Sequence, residues 1–144
     1  MPEASPRLSA NSHLAPAERN RLIDAARAML DRAYAPYSKF HVGCALLTNS
    51  GAVFTGCNVE NASYGLTICA ERAAICSAIA AEGASMKIRA LVVLNRNNAP
   101  CSPCGACRQV IFEFGPDAEI VFQGTAGLEQ ASARTLLPAG FSLE

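Results

Sequence analysis

The stretch Cys69-Ala-Glu-Arg-Ala-Ala-Ile-Cys-Ser-Ala-Ile-Ala-Ala81, followed by Ile88-Arg-Ala-Leu-Val-Val-Leu94, decides the fold class. Alanine dominates the first segment and Gly83 lies beyond it, which predicts a buried helix whose small side chains let neighbouring elements approach closely. The second segment is a short continuous apolar run, the pattern of a strand covered on both faces. Ser102-Pro103 then reads as an N-cap with proline at N1, opening a helix that runs to Phe114 and stops at Gly115. Glu119 to Gln123 supplies another strand. Helices alternating with buried strands make the chain α/β.

Upstream, Leu22, Ile23, Ala26, Met29, Leu30 and Ala33 recur at helical spacing from Pro16, and Tyr34-Ala35-Pro36 ends that pattern. Phe40 to Leu47 and Ala52 to Cys57, joined by Asn49-Ser50-Gly51, read as a hairpin. Downstream, Ser132 to Leu137 forms a short helix before Pro138. With 144 residues and no repeat or linker, the chain is expected to be one domain over 16–144. Residues 1–15 read as a flexible extension rich in Pro, Ser, Asn and Ala. That extension lacks the basic flank and apolar stretch of a signal peptide, and no apolar run reaches the ~20 residues needed to cross a bilayer. A cytoplasmic protein without membrane contact is the expectation.

Twelve basic residues balance twelve acidic ones, so a small neutral or zwitterionic ligand is favoured over a polyphosphate or nucleic acid. Seven cysteines in a reducing compartment point to metal ligation or catalysis for some of them. Cys69-Ala70-Glu71 opens one predicted helix and Pro103-Cys104-Gly-Ala-Cys107 the next. Cys104 and Cys107 share one turn, and a third thiolate from Cys69 would complete a zinc tripod with one tetrahedral position open to water. Helix N-termini favour thiolate over thiol at all three positions. Three thiolates around a dication leave net negative charge. Arg72, three residues after Cys69, can donate to the sulfurs and withdraw electron density. Glu71 need not bind the metal and can move a proton instead.

At these residues the chain resembles the small, three-cysteine cytidine deaminases of the cytidine/deoxycytidylate deaminase family. The matching motifs are Cys69-Ala-Glu-Arg72, Pro103-Cys-Gly-Ala-Cys-Arg-Gln109, Asn58-Val-Glu-Asn-Ala-Ser-Tyr64 and Tyr34-Ala-Pro-Tyr-Ser-Lys-Phe40. The resemblance spans roughly Tyr34 to Leu137, apart from Asn95 to Ala99. It implies a three-layer fold with a mixed five-stranded sheet flanked by helices. It also implies one zinc per chain and hydrolytic deamination of cytidine and deoxycytidine to uridine and deoxyuridine, with release of ammonia, in pyrimidine salvage. A homotetramer with active sites shared between subunits follows from the same source.

By resemblance, Asn58 and Glu60 would bind the ribose 3′-hydroxyl, Ala70 would meet the base through its backbone, and Phe40 would pack on the ring. Val59 and Asn61 belong to the same substrate-binding motif. Ala62, Ser63 and Tyr64 would line an adjacent subunit's site, and Phe141 would close the pocket. Selection through the 3′-hydroxyl leaves the 2′ position unread, so both nucleosides should react.

Other readings stand beside these. Cys101-Ser-Pro-Cys104 is itself a Cys-x-x-Cys pair and could supply a fourth thiolate, which would make a closed structural zinc site and a binding module without catalysis. The same zinc chemistry could serve an aminopyrimidine nucleoside antibiotic or a base within nucleic acid. Cys44, Cys57 and Cys76 read as buried small hydrophobes. His13 and His41 are assigned no role.

Overall fold

A computed structural model describes residues 14–143, so the expected extension falls outside the described residues except for its last two. Leu14 is buried against the sheet, and Ala15 precedes the first helix with its N–H donating to Glu18 Oε1 at 3.1 Å. No helix among the described residues is long and apolar enough to cross a membrane.

The elements follow in the order α1 (Pro16–Met29), β1 (Val42–Thr48), β2 (Val53–Cys57), α2 (Ala70–Glu82), β3 (Ile88–Asn95), α3 (Gly105–Phe114), β4 (Glu119–Gly124), β5 (Gly127–Ser132) and α4 (Ala133–Leu136). One five-stranded sheet has the order β2-β1-β3-β4-β5. β1 runs antiparallel to both β2 and β3, β4 is parallel to β3, and β5 returns antiparallel to β4. The sheet is mixed and three layers form, because successive side chains on a strand point to opposite faces. Cys44, Leu46, Leu91 and Val93 pack under α2 and α3, while Ala45, Leu47, Ala90 and Val92 pack under α1.

Two glycines let helix backbone meet strand backbone. A Cβ at Gly43 would stand 2.1 Å from the Ala26 carbonyl oxygen of α1, and one at Gly56 would stand 2.5 Å from both Ala70 O and Ala74 N of α2. The second approach seats the N-terminus of α2 against β2.

Several expectations are corrected. α1 ends at Met29 and continues as a single 3-10 turn, Leu30–Arg32, before Pro36. β1 begins at Val42 because the two residues before it are taken up by a bend: Lys39 has φ 62°, and the Asn58 amide bonds Phe40 O and Val42 N. α3 is capped by Cys104, not Ser102. Ser102 Oγ instead accepts from Arg108 Nη2 at 2.6 Å, so the serine holds a side chain of the helix in place of its backbone. α2 is buried on one face only. Ala74, Ile75 and Ala78 face the sheet, whereas Cys76 on the far side is exposed, contrary to its reading as a core residue. Cys44 is fully buried and Cys57 half-buried. β5 has no counterpart in the pattern of the sequence.

Candidate metal centre and active site

β2, β3 and β4 point the same way, and the loops leaving β2 and β3 carry the chemistry, as expected at the carboxyl ends of parallel strands. Twelve residues after β2 the chain enters α2 at its N-cap, Cys69; nine after β3 it enters α3 at its N-cap, Cys104. One sulfur atom from each of Cys69, Cys104 and Cys107 lies within 4.8 Å of the others. The residues expected to ligate are therefore brought together at two helix N-termini. Cys101 stands outside this cluster, which leaves the fourth-thiolate reading without its ligand.

Local bonding shapes the tripod. The Cys107 N–H points to Cys104 Sγ at 3.5 Å, so this sulfur caps the helix that carries the next one. Arg72 Nη2 donates to Cys69 Sγ at 3.4 Å. The Cys69 thiol is pulled down to about 5, first by a hydrogen bond from Cys107 and then, against burial, by Arg72. Cys107 moves the opposite way, because the same contact with Cys69 holds its proton and burial adds to the effect. Arg72 is held protonated, first by its bond to Cys69. Sulfurs this close share a proton unless a cation separates their charges. A soft trigonal donor set with a guanidinium behind it fits zinc.

Glu71 is 4 % exposed and lines a cavity of about 270 Å³ together with Cys69 and Cys104. Burial is the first cause that pushes its carboxyl up. Phe40, Asn58, Glu60 and Ala70 form walls of the same cavity. Asn58 is committed to structure through both ends of its amide: Nδ2 donates to Phe40 O at 2.8 Å and Oδ1 accepts from Val42 N at 2.9 Å. Glu60 Oε1 accepts from the Tyr37 and Ser38 backbone at 3.0 and 3.1 Å, and Oε2 accepts from Ser38 Oγ. Ser38 foremost, these donors hold the Glu60 carboxyl below its ordinary range.

The remaining expected residues lie elsewhere. Val59 is exposed and exchanges backbone bonds with Ile68 at 2.9 Å. Asn61, Ala62, Ser63 and Tyr64 are exposed and are not among the cavity walls. Tyr64 meets Tyr37 edge-on at 6.0 Å and lines a neighbouring hollow of about 440 Å³. Phe141 is 66 % exposed and also outside the cavity, its carbonyl accepting from Gln109 Nε2 at 3.4 Å.

Ser38 and Thr67 are cavity walls to which the sequence reading gave no role. Thr67 had a usable signal, since it precedes Cys69 by two residues in an extended segment, where alternate side chains share a face. Ser38 carried none beyond its place in the Tyr34–Phe40 motif.

Comparison with known proteins agrees with this geometry. Residues 16–123 match the family described as the cytidine and deoxycytidylate deaminase zinc-binding region. A cytidine deaminase of Sporosarcina psychrophila is 43 % identical over 126 residues, covering 86 % of this chain and 91 % of that protein. The crystal structure of cytidine deaminase from Burkholderia pseudomallei superposes with a TM-score of 0.76 at 50 % identity, covering 85 % of this chain and 98 % of that one. The crystal structure of cytidine deaminase from Mycobacterium tuberculosis gives 0.76 at 39 % identity, covering 88 % and 98 %.

Proposed function

Because the chain belongs to the cytidine and deoxycytidylate deaminase family, we propose that it hydrolyses free cytidine and deoxycytidine to uridine and deoxyuridine with release of ammonia. One zinc per chain is held by Cys69, Cys104 and Cys107, and Glu71 is the catalytic residue. The observation that carries this reading is that the buried Glu71 shares one cavity with Cys69 and Cys104 of the three-sulfur cluster.

Zinc, when bound, supplies acidification of a water towards neutral pH. The residues of the chain do the rest. Glu71 takes a proton from the attacking water and delivers it to ring N3, which makes C4 electrophilic. Once the C4–O bond has formed, Glu71 takes the second proton, from the oxygen added at C4, and passes it to the amine as the C4–N bond breaks, leaving C4=O and ammonia, so a single carboxylate serves each transfer. Its burial suits this double duty, because a raised carboxyl pKa approaches the pH at which both forms are available. Arg72 moderates the charge on Cys69 through its hydrogen bond.

Phe40 forms a flat wall for the heterocycle, Ala70 offers backbone to the base, and Asn58 and Glu60 face the ribose. Val59 and Asn61 hold that segment in place. Ala62, Ser63, Tyr64 and Phe141, all exposed in the single chain, complete the site of another subunit in a homotetramer. The setting is pyrimidine salvage in the cytoplasm. Balanced charge favours a free nucleoside over a base within nucleic acid.

The test is ultraviolet-monitored turnover of cytidine, deoxycytidine, cytosine and CMP by zinc-assayed protein, run beside Glu71→Gln. The expected result is turnover of the two nucleosides alone and a variant that keeps zinc but loses about 10²-fold or more in kcat. Zinc without turnover of any substrate refutes the enzyme reading, and an active Glu71→Gln removes the proton from that residue.

A further inference from the structure

We infer that Ser38 is a positioning residue whose one hydroxyl ties the Glu60 carboxylate to the backbone of Phe40, setting the spacing between the sugar-facing and base-facing walls of the cavity. The inference rests on the nucleoside reading above. Ser38 Oγ donates its proton to Glu60 Oε2 and uses a lone pair to accept the Phe40 N–H at 3.0 Å. A hydroxyl has one proton and two acceptor sites, so both bonds are made at once. The Ser38 N–H adds a second bond to the same carboxylate through Oε1, at 3.1 Å.

The chain is bent to allow this. Lys39, between the two partners, has φ 62°, a conformation that a non-glycine residue adopts only when its neighbours hold it there. Lys39 N donates to Ala35 O at 3.0 Å, and Phe40 is fixed from the other side by the Asn58 amide on its carbonyl, at 2.8 Å. Phe40 is thus gripped at N–H by Ser38 and at C=O by Asn58, and of these two residues Ser38 also bonds Glu60. The Glu60 carboxylate accepts from the Tyr37 and Ser38 backbone and from the Ser38 hydroxyl. Without the hydroxyl, Oε2 would lose its side-chain donor and swing away from the position at which it can accept from a sugar hydroxyl.

The consequence is specific to one substrate group. Removing the hydroxyl of Ser38 weakens recognition of the 3′-hydroxyl more than it weakens chemistry at C4, which depends on Glu71 and the sulfur cluster. Zinc-loaded wild type, Ser38→Ala and Ser38→Thr are assayed with cytidine, and 3′-deoxycytidine is titrated as an alternative substrate or competitor. Ser38→Ala should raise the cytidine KM about tenfold while lowering kcat by about twofold or less, the scale of one hydrogen bond to a charged group lost from binding. The preference for cytidine over 3′-deoxycytidine should fall by about the same factor. Ser38→Thr, which keeps the hydroxyl, should restore most of that preference.

A loss of equal size on both compounds would assign the hydroxyl to general loop folding and overturn the inference, as would unchanged kinetics or a threonine variant no better than alanine. Melting temperature and zinc content of each variant separate misfolding from loss of positioning. If wild type fails to deaminate cytidine, the reading of function falls and takes the inference with it; an active wild type leaves only the role of Ser38 at stake.

Discussion

Gly56→Ala is a single-methyl probe of how α2 is held. The added Cβ would stand 2.5 Å from Ala70 O and Ala74 N and 3.0 Å from Ala73 Cβ. Two of these three atoms are helix backbone, which cannot rotate aside as a long side chain can. Ordinary contact begins near ~3.5 Å, so the helix and strand must separate by about 1 Å at this point. β2 is an edge strand, but Gly56 is paired with Cys44 within the β1–β2 register, which resists its retreat. Overpacking of this kind costs about 1–3 kcal/mol. For a chain of this length, the melting temperature should fall by roughly 3–10 °C.

Activity should fall further than stability. Cys69 and Glu71 ride on the first turn of α2, whereas Cys104 and Cys107 belong to α3. A shift of about 1 Å between the two helices opens the tripod on one side and moves the carboxyl from its place, an error that can cost about 10²-fold in rate. The assay combines thermal melts, zinc per chain and turnover of cytidine well below the melting transition. A variant with wild-type melting, zinc and turnover refutes the close approach. Lower melting with full zinc and full turnover refutes the idea that the β2 contact sets the site.

Removing zinc with a strong chelator should lower the melting temperature, because a metal on the proposed ligands Cys69, Cys104 and Cys107 would tie two helix N-termini together; an unchanged melt would confine the metal to chemistry. Cys101→Ser should leave zinc content unchanged, since Cys101 lies outside the sulfur cluster, and lost zinc would sink the three-sulfur site. Glu18 and Arg89 form a two-pronged ion pair at 2.7 and 2.8 Å, and the Glu18 carboxyl is lowered first by that bond. A carboxyl depressed in the folded state stabilises above its unfolded pKa of about 4.3 and loses that contribution as pH falls through the lower folded value. Glu18→Gln should therefore cost about 0.5–1 kcal/mol at pH 7 and progressively less below about pH 4 in parallel melts; a constant difference across that range would show that the pair contributes nothing.

Fold and site were unequally legible in the sequence, for physical reasons. β1 and β3 lie at the centre of the sheet and are covered on both faces, so burial alone forces continuous apolar runs. β5 is an edge strand of Gly-Leu-Glu-Gln-Ala-Ser with few strand formers, and its conformation comes from pairing with β4 rather than from its own preference. The alanine-rich helix was readable as a helix, but its exposed face was not, because alanine fits a buried or an open position alike and Cys76 follows its neighbours outward. The sulfur cluster was readable because ligand geometry restricts spacing tightly. The posts around Glu60 were hidden, since Ser38 acts across 22 residues through a bend that no local pattern marks.

The Ser102–Cys104 correction shows how the site and the fold share atoms. Capping preference selects serine before proline, and a helix begun at Ser102 would satisfy its backbone donors well. The chain instead delays the start by two residues, so that a sulfur takes the capping position and faces the Cys107 N–H. Arg108 stabilises the displaced segment by bonding Pro103 O at 2.6 Å, Ser102 Oγ at 2.6 Å and Leu136 O at 2.9 Å. The first turn of α2 follows the same logic. Cys69 at the N-cap, Glu71 at N2 and Arg72 at N3 are separated by about 100° per residue, so the guanidinium returns to the sulfur three positions back while the carboxyl faces the cavity. Adjacent positions lie about 100° apart and only i,i+3 and i,i+4 positions share a helix face, so Arg72 meets Cys69 while Glu71, its neighbour in sequence, faces another way. The order Cys-Ala-Glu-Arg thus places the guanidinium on the Cys69 sulfur and the Glu71 carboxyl in the cavity wall.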